Sequence, residues 1–223
     1  MVELKMIVCL ANSYKPDGRC IAGIDGARHW IRPVSAPPSG SVPEQVLSDG
    51  AALRVLDVVT IGLSKRVPYN YQTENWLLDA SYSPWQKDGQ ADLEILAALE
   101  EHPESLWTNN DKTQTGVNDL VSPEDASSLG TSLTFIRVEN VDLKVFTDYG
   151  KTKMLARFHH AGTEYALKVT DPVYWESYGQ SLGVHQLGES FLTVSLALPF
   201  RGYSSKLVAA IIQKAKVHGG SNN

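Results

Sequence analysis

Short apolar, β-rich runs separated by Gly, Pro, Asn and Asp fill the first and last thirds of the chain, and the middle third breaks that rhythm. Side chains alternate across a strand, so such runs predict strands with one face in a core. In the first third they fall at Lys5–Leu10, Arg19–Ile24, Arg28–Pro33, Val55–Leu63 and Asn75–Asp79. Asp25-Gly26 is a tight-turn dipeptide between two of them. Ala36–Pro43 (APPSGSVP) reads as a rigid loop, because proline has no amide hydrogen for a ladder. In the last third the runs are Leu133–Val138 continuing toward Phe146, Met154–His159, Glu164–Val169, Phe191–Leu198 and Leu207–Ile212, with Ala161-Gly162 as a hairpin turn. Leu207–Ile212 (LVAAII) suits a buried strand or a helical turn, and its β-branched end favours the strand.

The middle reads differently. Asp92–His102 (DLEILAALEEH) places Leu93, Leu96 and Leu99 on helical spacing, and Pro103 stops the helix. Thr108–Gly116 is a polar loop. Ser122-Pro123-Glu124-Asp125 is a helix start, with a Ser cap, Pro at the first position and acids in the first turn. Five strands of this length suit a small closed barrel of the OB type. The expectation is therefore mainly β: two OB-like small β-barrels joined by an acidic, partly helical connector. The barrels fall at 1–84 and 131–223, and the connector or insert at 85–130.

Composition sharpens this. Of 223 residues, 43% are hydrophobic and 20% charged, which indicates a globular chain with a real core. No apolar run approaches the ~18–20 residues that cross a bilayer, and the first residues lack the pattern of a secretion signal, so a cytoplasmic protein with no membrane partner is expected. The net charge of −5 argues against a protein that coats DNA indiscriminately. Its distribution softens that point: residues 67–130 carry −10, while the flanks 1–66 and 131–223 carry +2 and +3. Local field matters more than total charge for steering a polyanion.

Candidate chemistry begins in the first flank. On a strand, Arg28, Trp30 and Arg32 share one face, so an aromatic ring flanked by two guanidinium groups offers a stacking platform with phosphate neutralisation. Trp30 also suits a core. The loop Asn12–Arg19 adds Lys15 and Arg19, which would converge on the same region, although Pro-Asp-Gly is ordinary turn chemistry. Near the end, Arg201, Tyr203 and Lys206 in PFRGYSSK form a second candidate contact. Tyr174 and Trp175 suit either stacking or a barrel plug, and Tyr71, Gln72, Glu74 and Asn75 either base reading or a loop cap.

If Lys5–Leu10 and Arg19–Gly23 pair around the intervening loop, Cys9 and Cys20 fall opposite each other as free thiols of a reducing compartment. No structural metal is expected from two cysteines and histidines without ligand spacing. His159 and His160, adjacent on a strand, point to opposite faces. The sequence holds no nucleophile elbow, phosphate loop or zinc helix, and Asp142-Leu143-Lys144 with Glu139 matches a metal-nuclease pattern in residue type only. Neither a catalytic residue nor a cofactor is assigned, and the chain leans toward a non-enzyme.

The segments IVCLANSYKPDGRCIAGI, RHWIRPVS, YQTENW, YALKVTDPVYW and FLTVSLALPFRGYSSKLVAAII together resemble a bacterial family described as the dual OB-containing domain. The resemblance implies two OB folds, nucleic-acid binding and association with prokaryotic conflict and antiviral defence systems. The expected function is thus non-enzymatic binding of single-stranded DNA or RNA, as an accessory component of such a system. Two alternatives stay open: a sensor of a small anionic, nucleotide-like ligand, and an interaction module whose partner protein docks on residues 85–130.

Overall fold

The computed structural model describes residues 2–15, 17–35, 40–79 and 81–217. Residues 36–39 of the proline-rich loop lie outside them. The chain divides into two compact units, 1–99 and 100–223.

In the first unit, β1 (Glu3–Lys15), β2 (Gly18–Asp25), β3 (Trp30–Val34), β4 (Asp57–Arg66) and β5 (Asn75–Leu78) form a sheet in the order β1-β2-β3-β5-β4. Pairing of β1 with β4 closes it into a barrel. The β3–β5 pair is parallel and the other pairs are antiparallel. β1 is long enough to serve two partners: its residues 3–8 pair with β4 and its residues 7–15 with β2. Inside lie Ile7, Cys9, Ile21, Ile31, Val59, Ile61 and Leu63, plugged by Val42, Leu47, Leu53 and Trp85. β6 (Gln86–Gln90) extends the sheet beyond β4, and helix α1 is Leu93–Leu99.

The β1–β2 register corrects the expected hairpin. Cys9 faces Gly23, and Cys20 faces Ser13, so the thiols are not opposed. The strands run on to the Lys15–Gly18 pair instead of ending at an eight-residue loop, and a bulge between Cys9 and Ala11 shifts the pairing. Burial pushes the Cys9 thiol up to about 12, which leaves it a small hydrophobe.

The second unit repeats the order. After β7 (Leu120–Val121) and the short helix α2 (Pro123–Ala126), capped by Ser122 as the sequence predicts, come β8 (Leu133–Val138), β9 (Asp142–Asp148), β10 (Lys151–His160) and β11 (Thr163–Val169). Helix α3 (Pro172–Tyr178), β12 (Gly183–Gln186), β13 (Ser190–Leu196) and β14 (Ser204–Gln213) follow. The sheet order is β12-β9-β10-β11-β14-β13-β8, again with a parallel pair, β11–β14. β8 pairs with β13 and β9 with β10, so the two together hold the place of β1 in the first barrel, interrupted at residues 139–141.

Helix α3 lies between the third and fourth barrel strands, where the first barrel has no helix among its described residues. The sequence signal is Asp171-Pro172, the same cap-plus-proline start as Ser122-Pro123. Asp171 Oδ1 accepts from Val173 N and Oδ2 from Ile211 N. Burial raises its carboxyl, against the pull of those backbone donors. Tyr174 and Trp175 therefore act as a plug, packed on the core of Val145, Met154, Phe158, Leu167, Val169 and Val208. Among the described residues, no helix is long and apolar enough to cross a membrane.

Candidate nucleic-acid interface

The first-flank platform does not assemble as the alternation suggests. Arg28 is not on β3; it sits in the preceding turn at φ +64°, and its guanidinium donates to the Ala98 carbonyl. Trp30 is half-buried. Arg32 points to the outer side of the barrel, opposite to the core residue Ile31, yet it is only 3% exposed. Its Nη1 lies 3.1 Å from Oε1 of Glu74, itself 5% exposed. Arg19 donates to Glu44 at 2.9 Å and stacks 4.9 Å from the Tyr14 ring centroid. Lys15 is half-buried at the end of β1. Three of the four cations thus already have protein partners, and the neighbours Ala22, Ile24 and Val34 on the outer side of β2 and β3 are buried as well. Tyr71, Glu74 and Asn75 are buried around a Tyr69–Gln72 turn, the geometry of a loop cap.

The terminal motif divides. Arg201-Gly202 is the positive-φ turn between β13 and β14, closed by Phe200 and Tyr203. Phe200 is 74% exposed, the Arg201 guanidinium lies 5.3 Å from its ring centroid, and Tyr203 is partly open beside them. Lys206 points the other way. It is buried, donates to Thr108 O at 2.6 Å and Asn109 Oδ1 at 3.3 Å, and lies over the Tyr165 ring. Burial brings its ammonium down to about 8, although Asp119 and Asp111 oppose the shift. Lys206 is thus an anchor for the acidic segment, not a phosphate contact.

A basic and aromatic surface that sequence reasoning passed over lies on the second barrel. In β9, Leu143 and Val145 belong to the core, so Lys144 and Phe146 face outward. In β10, Met154, Ala156 and Phe158 face in, leaving Lys153, Leu155 and Arg157 on the outer side. In β11, Tyr165, Leu167 and Val169 face in, leaving Lys168 outside. The ladder registers align these residues in rows: Lys144 beside Leu155 beside Lys168, and Phe146 beside Lys153. Lys144 Nζ lies 5.3 Å from the Phe146 ring centroid. Carboxylates engage part of the charge, Asp148 holding Lys153 and Glu164 holding Arg157. Lys144 and Lys168 stay exposed with no ion pair among the described residues.

Two turns frame this face. Between β9 and β10 the turn is Tyr149-Gly150, with Tyr149 87% exposed. Between β13 and β14 it is Arg201-Gly202 with Phe200. They are the loops between the first and second and between the fourth and fifth strands of this barrel, the positions from which OB barrels contact oligonucleotides on the face of strands two and three. The alternation in Asp142–Asp148 (DLKVFTD) was the available signal for this face.

A family model described as the dual OB-containing domain matches residues 5–211, nearly the whole chain. No curated protein matches it.

Proposed function

The chain belongs to the dual OB-containing domain family, and from that premise we propose that it binds single-stranded nucleic acid on the second barrel. The carrying observation is the outer face of β9, β10 and β11, where the exposed Lys144 and Lys168 share one row, with the half-buried Phe146 ring next to Lys144, between two aromatic-tipped turns. Backbone neutralisation by Lys144 and Lys168, with bases stacking on Phe146, Tyr149 and Phe200, suits single strands, whose bases offer open π-faces. Duplex readout needs an element that enters a groove, and this face is a shallow sheet surface. Arg201 supplies a further phosphate contact at the rim. An accessory role in a prokaryotic defence system is part of the reading and rests on the family resemblance alone.

Fluorescence anisotropy with labelled single-stranded DNA, single-stranded RNA and duplex at ~50 and ~200 mM salt tests this. Single strands bind best, and affinity falls with salt. The paired change Lys144→Ala with Lys168→Ala lowers single-strand affinity about tenfold and flattens the log–log salt slope by about 1.4, roughly 0.7 for each phosphate no longer neutralised. Lys15→Ala, on the first barrel, leaves both unchanged. Wild-type protein that ignores all three probes at tens of micromolar overturns the proposal.

A further inference from the structure

The interruption between β8 and β9 opens a cavity of about 420 Å³ lined by Arg137, Glu139, Asn140, His159, His160 and the Ala161-Gly162 turn. The ladder explains why it is there. The last β9–β10 pair is Asp142 with Arg157, and two more residues in the same register would set Asn140 against His159. The chain has by then turned away to place β8 against β13, and the two strands part. His159 shares the outward side of β10 with Lys153 and Arg157, so the cavity lies at one end of the face assigned above to a single strand.

Its chemistry selects an occupant. Arg137 is committed: Nε lies 3.2 Å from Glu100 and Nη1 3.6 Å from Glu189. His160 Nε2 donates to the Pro103 carbonyl at 2.7 Å. Glu139 and Asn140 are exposed, and no hydrogen bond or ion pair among the described residues engages either side chain. An open carboxylate repels a phosphate and accepts from N–H donors. Guanine presents N1–H and N2–H₂ side by side, a match for two carboxylate oxygens. Cytosine and adenine offer one amino group. Thymine and uracil place a single N–H between two carbonyl oxygens, which a carboxylate disfavours. Asn140 brings one more donor and acceptor, and the exposed His159 ring offers a stacking plane for a base turned out of the strand.

We propose that this cavity is a pocket for one splayed-out base with a donor-rich edge, guanine foremost, and that Glu139 reads it. The inference rests on the single-strand reading of the neighbouring face. The test is anisotropy with four twelve-nucleotide DNA probes, all dT except for one central dG, dA, dC or dT. Wild-type protein binds the dG probe about tenfold more tightly than the all-dT probe, within the range of a two-pronged side-chain contact to a base edge. Glu139→Gln abolishes most of that preference and changes all-dT affinity by less than about twofold. Equal wild-type affinity for the four probes, or a Glu139→Gln protein that keeps the preference, overturns the pocket and leaves the single-strand reading intact. Failure to bind any of the four overturns both.

Discussion

The two barrels have one strand order and two different characters. In the first, strand one is continuous and bends through a bulge near Leu10; in the second it is cut at 139–141, and a cavity opens at the cut. In the first, the connection from strand three to strand four is a loop that contributes Val42, Leu47 and Leu53 to the core; in the second it carries a capped helix. The outer faces differ most. Arg32, Ala22 and Ile24 of the first barrel are buried, whereas Lys144, Arg157 and Lys168 of the second are exposed. A shared topology fixes which strands neighbour each other, and the proposed function rests on what each face leaves uncommitted.

The sharpest way to break the comparison is to free the cation of the first barrel. Removing one member of a buried ion pair leaves the other charge without compensation, at a cost of about 4 kcal/mol. Arg32→Met should therefore lower the stability read from urea unfolding by about that much, and adding Glu74→Met should restore most of it. A loss under about 1 kcal/mol for the single change would mean that the pair contributes little to holding β3 against β5.

The second contrast, helix against loop, has its own test. Asp171→Ala removes a helix cap and strands the Ile211 amide without an acceptor, together worth about 3 kcal/mol. Hydrogen exchange should quicken at Val173 and Ile211 and stay unchanged in β1–β5. Uniform quickening would show that α3 supports more than the barrel it plugs.

All five strands of the first barrel and the core strands of the second were legible, because punctuation by Gly, Pro, Asn and Asp leaves little choice for short β-rich runs. The polar edge strands β6 and β12 were not: Gln86–Gln90 and Gly183–Gln186 have no apolar face and exist through their ladder partners. Register was lost because the strands run on to the Lys15–Gly18 pair, and a one-residue bulge shifts it once more. Helix α3 was missed although Asp171-Pro172 repeats the signal read correctly at Ser122-Pro123, because the aromatic pair behind it drew a reading of its own. The open face was hard to read for a different reason. Alternation tells which side chains share a face but not which face is covered, and the partner that commits Arg32 is 42 residues away. The turn at Arg201 was legible, yet Phe200 beside it and the Lys144–Phe146 face were passed over.

Each barrel buries a cation, and the partners differ in kind. Arg32 has a carboxylate, that of Glu74. Lys206 has only the Thr108 carbonyl, the Asn109 amide oxygen and the Tyr165 ring, with the Asp119 and Asp111 carboxylates acting without an ion pair to it. Its folded value, about 8, lies below the unfolded value of 10.5. Between those values the unfolded chain binds more protons, so this group adds stability as pH rises. Relative to Lys206→Met, the wild-type protein should gain about 2 kcal/mol from about pH 7 to about pH 9.5. Urea midpoints measured across that range read the difference, and subtracting the variant removes the other lysines and tyrosines that titrate there. Parallel pH profiles for the two proteins would mean that the ammonium is better compensated than its geometry shows, and the contrast between the two buried cations would vanish.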